Sequence, residues 1–367
     1  MAAPTESQDR RLGTVLRGQY RLDSVLGRGT MGTVYRATNL RDQSEVAVKV
    51  HSPDALLADP SRQDEFRRRF ERETVATLTL DHPNTVKVLD FGTQGDLSYL
   101  VLELLRGRTL RDVLDRERGP LSPQRTARIA VQIARALEHA HGHGIVHRDL
   151  KPDNVYICDG GSLPDHVKVM DFGIVRLMGK RAEATQLTQA GHSMGTLAYM
   201  SPEQATNQPV GPATDLYTLG VMVYEMITGR LPFDAGNALM VAVMHIETPP
   251  PPLEVASMSP DELAPWQALM DRLLDKSAET RLQRAGDVAR MLDGMLSAQD
   301  RVQLASVRPN IPAPITRSAG PRPISGGLAQ KRQAPSSKTP WWLWPLLGVG
   351  VAVVGAGLAM LVAWLKG

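Results

Sequence analysis

The sequence predicts an α+β fold in which a small strand-rich part precedes a larger helical part, followed by a flexible linker and one membrane-spanning helix. Three observations carry that expectation. Alternating patterns give way to helical spacing near residue 105, periodicity disappears after about residue 295, and an apolar run of 25 residues stands close to the C-terminus.

Taken in order, the runs TVYRAT, EVAVKV, TVKVLD and LSYLVLEL between Tyr20 and Leu105 alternate as strands do, interrupted by one charged helical stretch from about Arg62 to Leu80. Ser122 followed by Pro123 marks a helix start. A serine side chain accepts from the first free N–H groups and proline offers none there. Ile129, Ile133, Ala134, Leu137, Ala140 and His141 then keep one apolar face. Leu216 to Ile227 is apolar nearly all round, but it is short and flanked by Asp215 and Arg230, so it reads as a buried core helix.

From about Ser297 to Pro340 the chain fills with Pro, Ser, Arg and Gly and cannot bury enough apolar surface to order itself. Trp341 to Leu365 follows without a charge, and at about 1.5 Å per residue it exceeds the ~30 Å hydrocarbon core of a bilayer. Trp341, Trp342, Trp344 and Trp364 sit at its ends, where amphipathic rings prefer the interface. Lys331, Arg332 and Lys338 flank its N-terminal side, which assigns everything before the helix to the cytoplasmic face of the cell (inner) membrane. The basic linker should also draw anionic lipid head groups. Met1 to Arg11 is polar, without the apolar centre of a signal peptide, so the expectation is a C-terminal anchor with no module beyond the membrane. Gly348, Ala352 and Ala356, with Gly355, Ala359 and Ala363, recur at four-residue spacing. Two readings stay open: a homodimer packed through the span, or the ordinary frequency of Gly and Ala in membranes.

Charge and cysteine content exclude other classes. The net charge of +3 conceals a split: residues 296–367 hold eight bases and one acid, and residues 1–295 hold 34 bases and 38 acids. The folded part therefore has no nucleic-acid footprint. Cys158 is the single cysteine, which rules out a disulfide framework within the chain and a Cys-rich zinc site and suits a reducing compartment; it is expected as a small buried apolar residue.

The chemistry-bearing motifs begin with Gly27, Arg28, Gly29, Thr30, Met31 and Gly32. This G-x-G-x-x-G pattern is weak alone, and an ordinary turn would also explain it. Because strand-like alternation follows the glycines where a dinucleotide fold needs a helix, the loop reads as a hairpin able to lie over phosphates. Val46-Ala47-Val48-Lys49 then puts a lysine on the next strand but one. A lysine among apolar strand neighbours needs a counter-ion, for which Glu73 is the first candidate and Glu71 the second. Further on stand His147-Arg148-Asp149-Leu150-Lys151-Pro152-Asp153-Asn154 and, seventeen residues after Asn154, Asp171-Phe172-Gly173. Phosphoryl transfer needs a positioned hydroxyl, neutralised charge and in-line geometry, so one carboxylate, one lysine and two metal ligands suffice.

Together these residues resemble the protein kinase family, and within it the bacterial serine/threonine kinases that are similar to eukaryotic ones. The resemblance covers about Tyr20 to Met295 with every motif in order. It implies a two-lobed fold with ATP in the cleft, Asp149 as catalytic base, Asn154 and Asp171 holding Mg²⁺ or Mn²⁺, and Lys151 on the transferring phosphate, as in the serine/threonine class. It also implies that Val34, Ala47 and Leu102 line the adenine pocket, and that the backbone of Leu102 to Leu105, with Glu103, forms the hinge. Gly195-Thr196-Leu197-Ala198-Tyr199-Met200-Ser201-Pro202-Glu203 resembles the substrate-docking segment, with Ser201 where the family has alanine. Glu203 should pair with Arg281, and Asp215, expected to open the buried helix, should brace the catalytic loop; these are architectural roles. Arg148 beside the base wants an anion, which a phosphorylated threonine supplies, with Thr188 the first choice and Thr185 the second. The implied divisions are a tail at 1–19, a small lobe at 20–105, a large lobe at 106–295, the linker at 296–340, the span at 341–365 and a two-residue end. The implied activity is signal transduction by phosphorylation of serine or threonine in protein substrates. A scaffold that keeps such a fold without catalysis usually lacks one of Lys49, Asp149 or Asp171, and all three are present.

Overall fold

The computed structural model of the chain describes residues 9–29, 32–51, 68, 70, 74–95, 97–160, 163–172 and 197–306. Six strands, β1 (Val15–Leu16), β2 (Tyr20–Gly29), β3 (Gly32–Asn39), β4 (Glu45–His51), β5 (Val88–Gln94) and β6 (Leu97–Glu103), form one antiparallel sheet in the order β1-β2-β3-β4-β6-β5. Side chains directly opposite across such a ladder share a face. The row Tyr35, Val48 and Val101 therefore points one way, into a cluster with Leu16, Leu22, Val46, Val50 and Tyr99. The rows Val34, Lys49 and Leu100, and Ala47 with Leu102, point the other way, where Leu100 meets Phe70. Binary alternation thus separates the core of the sheet from the face that carries the lysine.

A second antiparallel sheet joins β7 (Gly107–Thr109), β8 (Val155–Cys158) and β9 (His166–Val169). Around it lie α1 (Leu110–Glu117), α2 (Pro123–Gly142), α3 (Pro202–Ala205), α4 (Pro212–Thr228), α5 (Ala238–Glu247), α6 (Pro260–Leu273), α7 (Ala285–Met295) and α8 (Ala298–Ala305). The helix starts follow local chemistry. Thr109 caps α1 in a reciprocal box with Asp112, and Ser122 Oγ accepts from Arg125 N at 3.3 Å to cap α2, whose Pro123 has no N–H to leave unpaired. Helix α4 is buried along almost its whole length and ends at Gly229, which adopts φ 72°; a Cβ there would press on the backbone of Gly119 and Pro120 at 2.8–2.9 Å.

Four expectations need correction. Strand pairing in TVKVLD begins only at Val88, because Thr85 and Val86 pair instead with Val169 of β9 and tie the two sheets together. Helix α4 begins at Pro212 with Gly211 as its cap, so Asp215 lies in its first turn and does not open it. Cys158 is only partly buried, on β8. Order also continues past the expected boundary at Met295: α8 sets Leu304 into the large core, and Asp300 accepts from Arg128 of α2 at 3.2 Å. In the expected helical stretch before Leu80, residues 74–77 are helical and the chain turns at 78–79. Among the described residues no helix is long and apolar enough to cross a membrane. The expected span at 341–365 and all but the first residues of the expected linker lie outside the described residues, as do Thr30, Met31, Glu71, Glu73, Gly173, Thr185, Thr188 and Thr196.

Candidate active site

The sheet face that carries Lys49 meets the segment leaving β9, which is fastened to the loop between α2 and β8. Lys49 is 8% exposed, and its Nζ lies 2.7 Å from Asp171 Oδ2. Its expected partner Glu73 is outside the described residues; among those described, Asp171 is the carboxylate that neutralises it. Burial alone would push the Asp171 carboxyl up, but the charge of Lys49 and its hydrogen bond reverse this and hold it below its ordinary value. The group is an anion at neutral pH.

Asp149, Lys151 and Asn154 lie together between α2 and β8. Lys151 Nζ donates to Asp149 Oδ1 and Oδ2 at 3.2 and 3.0 Å. Asn154 Nδ2 donates to the Asp149 main-chain oxygen at 2.6 Å and to its Oδ2 at 3.2 Å, which leaves the amide oxygen Oδ1 as the acceptor available to a hard cation. Two bonds fasten this loop to the Asp171 segment: Met170 N donates to Asn154 O at 2.8 Å, and His147 Nε2 lies 2.7 Å from Met170 O. His147 is fully buried and its ring meets Phe172 edge-on at 4.8 Å. Since Met170 O accepts, the proton of a neutral His147 sits on Nε2.

Two residues of the site hold left-handed backbone. Arg148 has φ 69° and Asp171 φ 60°, conformations that non-glycine residues adopt only when their surroundings impose them. Asp215, 1% exposed on α4, supplies part of that restraint: Oδ2 accepts from His147 N and Oδ1 from Arg148 N, both at 2.8 Å, while His141 Nε2 lies 2.8 Å from Oδ2. His141, expected as part of an apolar face, is thus a polar brace. Gln204 Nε2 donates to Arg148 O at 2.6 Å and fixes the same residue from the other side.

Glu203 and Arg281 form a buried bidentate pair at 2.9 and 3.2 Å, with side-chain exposures of 4% and 0%. Thr214 Oγ1 donates to Glu203 at 2.7 Å, and Arg281 also donates to Ala213 O at 2.8 Å. Burial raises the Glu203 carboxyl, but the hydrogen bond and charge of Arg281, with Thr214, bring it below its ordinary value.

Gly27, Arg28 and Gly29 end β2 and Gly32 opens β3, so the glycine pattern lies in a strand-to-strand hairpin as the alternation indicates. Gly32 has φ 138°, and a Cβ there would run into the Val50 carbonyl. Val34 stands opposite Lys49, and Ala47 opposite Leu102. Leu102 and Glu103 end β6, and Leu105 follows before β7. The Glu103 side chain accepts from Lys168 Nζ of β9 at 2.6 Å and from Lys87 N at 2.8 Å. Lys168, His141, His147 and Gln204 were not singled out as site residues in the sequence, because each of their partners is distant along the chain.

The comparisons agree with this geometry. Residues 20–291 match the family described as protein kinase domain. The chain is 40% identical over 250 residues to the serine/threonine-protein kinase pkn3 of Myxococcus xanthus, covering 68% of this chain and 45% of that protein. It is 40% identical over 285 residues to the serine/threonine-protein kinase PknA of Mycobacterium tuberculosis, covering 76% and 62%. It is 31% identical over 357 residues to the serine/threonine-protein kinase PrkC of Bacillus subtilis, covering 95% and 53%. The matches thus span between about half and three-fifths of these relatives' lengths. The crystal structure of the Mycobacterium tuberculosis PknI kinase domain superposes with a TM-score of 0.58 at 26% identity, covering 77% of this chain and 98% of that one. The chain belongs to the protein kinase family.

Proposed function

We propose that the chain is an ATP-dependent serine/threonine protein kinase, held at the cytoplasmic face of the inner membrane by residues 341–365. The observation that carries the reading is the convergence of the Lys49–Asp171 pair with Asp149, Lys151 and Asn154, fastened together through Met170.

The residues fit the chemistry. A serine or threonine hydroxyl of the protein substrate attacks the γ-phosphorus of ATP while the bond to the β–γ bridging oxygen breaks. The hydroxyl proton passes to Asp149, and ADP leaves. Lys151, two residues after that base, offsets charge on the transferring phosphoryl, and Lys49 orients the remaining phosphates. The Asp171 carboxylate and the Asn154 amide oxygen are hard donors that suit a divalent cation. Mg²⁺ or Mn²⁺ held by Asp171 and Asn154 would supply neutralisation of phosphate charge. Ala47, Val34 and Leu102 are the walls offered to adenine, and the main chain from Leu102 to Leu105 the edge that reads it. Phosphorylation of Thr188, or failing that Thr185, would give the Arg148 side chain an anion and activate the enzyme. The basic linker would lie against anionic lipid, and the small-residue rows of the span offer a route to a homodimer.

The test incubates the full chain with Mg²⁺, ATP and a protein acceptor, beside Lys49→Met and Asp149→Asn. Removal of the base should slow transfer by ~10²- to 10⁴-fold, and phosphosite mapping should find Thr188 or Thr185 modified only in the parent. Nucleotide binding without any transfer by the parent would refute the catalytic reading.

A further inference from the structure

The family match begins at Tyr20, yet the described chain is already built into the sheet before that residue. Leu16 is fully buried, Leu12 packs on the same cluster, and Gly13 N donates to Leu22 O at 2.8 Å while Leu22 N donates to Thr14 O at 3.0 Å. Beyond Leu22 the outer edge of β2 has no strand partner among the described residues. Its pairing with β3 also slips twice, between Leu22 and Ser24 and between Val25 and Gly27. The half of the hairpin nearest the glycines is therefore paired on its β3 side and on no other among the described strands.

One side chain ahead of the sheet reaches it. The Asp9 carboxylate is 6% exposed although it stands near the start of the chain. Its Oδ1 accepts from Arg11 N at 3.0 Å, and its main-chain oxygen accepts from Leu12 N at 3.1 Å, so Asp9 sits on an ordered turn. Its Oδ2 accepts from Arg28 Nη2 at 2.7 Å and from Tyr35 Oη at 3.0 Å. Arg28 stands between Gly27 and Gly29, and Tyr35 is fully buried on β3. One carboxylate thus clasps the glycine-bearing end of β2 to the rigid body of β3.

We propose that Asp9 is a positioning residue for the hairpin, and that residues 9–16 pre-order the glycine segment to receive the phosphates of ATP. The inference rests on the reading that the hairpin covers ATP. Glycines lose more conformational freedom on ordering than other residues, so a hairpin already held in place binds nucleotide at a smaller entropic cost. Burial raises the Asp9 carboxyl, but its hydrogen bonds from Arg11 and Tyr35 and the charge of Arg28 bring it below its ordinary value, so the clasp is ionised throughout the neutral range.

The experiment uses the full chain and measures the Kd of Mg·ATP by calorimetry together with KM for ATP, KM for a protein acceptor and kcat, in the parent, Asp9→Ala, Asp9→Asn, Arg28→Met and the Asp9→Ala/Arg28→Met double variant. In Asp9→Ala the Kd and KM for ATP should rise by roughly 3- to 10-fold, the size of one ordinary hydrogen bond's worth of lost pre-ordering, while acceptor KM and kcat hold within about two-fold. Asp9→Asn should fall between, and the double variant should add nothing to the larger single effect. An unchanged or tighter ATP affinity in Asp9→Ala would overturn the inference, since Arg28 would then be restrained away from phosphate. Parallel rises in both KM values would do the same, because general loosening of the small lobe moves both. A parent that binds no ATP would instead overturn the underlying reading of the hairpin.

Discussion

The Glu203–Arg281 pair is the place where the structure makes its sharpest energetic prediction. Arg281→Met keeps most of the side-chain volume but leaves a carboxylate that is 4% exposed with Thr214 and its own backbone N–H as donors and no counter-charge from Arg281, and it frees the carbonyls of Ala213 and Asp275 that Arg281 serves at 2.8 and 3.0 Å. Breaking a buried pair from one side costs about 3–5 kcal/mol, and the lost carbonyl bonds put this case at the upper end. For a domain of this size roughly 2 °C of melting temperature corresponds to 1 kcal/mol, so the fall should be about 6–10 °C by calorimetry or circular dichroism. Glu203→Met with Arg281→Met removes both charges and should recover at least half of that loss, because two packed apolar chains replace two desolvated ions.

The same pair sets a pH dependence of known sign. Glu203 titrates below its ordinary 4.5 when folded, so its contribution is complete above that value and is lost as pH falls through the lower folded value. The parent should therefore owe no slope to this pair near neutrality and lose stability in acid, and Arg281→Met should lose less on the same descent. A single variant that melts within about 2 °C of the parent, or a double variant no more stable than Arg281→Met, would refute the argument that the pair is a desolvated unit.

What the sequence made legible here follows from how local each constraint is. Phosphoryl transfer imposes residue types at short spacing, so Asp149, Lys151 and Asn154 announce themselves within six positions, and Lys49 stands out as a charge in an apolar strand. The start of α2 was legible because Ser122 and Pro123 act on their own turn. The pairing of Glu203 with Arg281 needed the resemblance, since 78 residues separate them. Features fixed by distant partners left no such trace. The sequence of α8 is only weakly apolar and takes its place through Arg128, which meets Asp300 across 172 positions, so composition alone assigned it to the linker. Lys168 reads as an ordinary solvated strand residue until Glu103 is seen beside it. Asp9 sits in a polar stretch that gives no sign of Arg28 or Tyr35.

Two further predictions test the frame around the site. Asp215→Asn replaces one of two acceptors with a donor facing the N–H groups of His147 and Arg148, and an unmet buried group costs about 1–3 kcal/mol. Because Arg148 holds φ 69° against its own preference, transfer should slow by at least about 10-fold with ATP affinity nearly unchanged, as steady-state kinetics will show; full activity would mean that the loop is held without Asp215. The second concerns where the folded unit ends. A fragment of residues 1–306 should be more stable than one of residues 1–295, because the shorter chain loses buried Leu296 and Leu304 and strips Arg128 of Asp300, leaving it Asp165 alone. The lost leucine burial and the lost Arg128–Asp300 pair act in the same direction, so the urea midpoint of the longer fragment should lie above that of the shorter one. Coincident midpoints would show α8 to be a passenger on the large lobe. A separation would place the start of the linker after residue 306 and make the longer fragment the one to carry into every assay of the isolated domain.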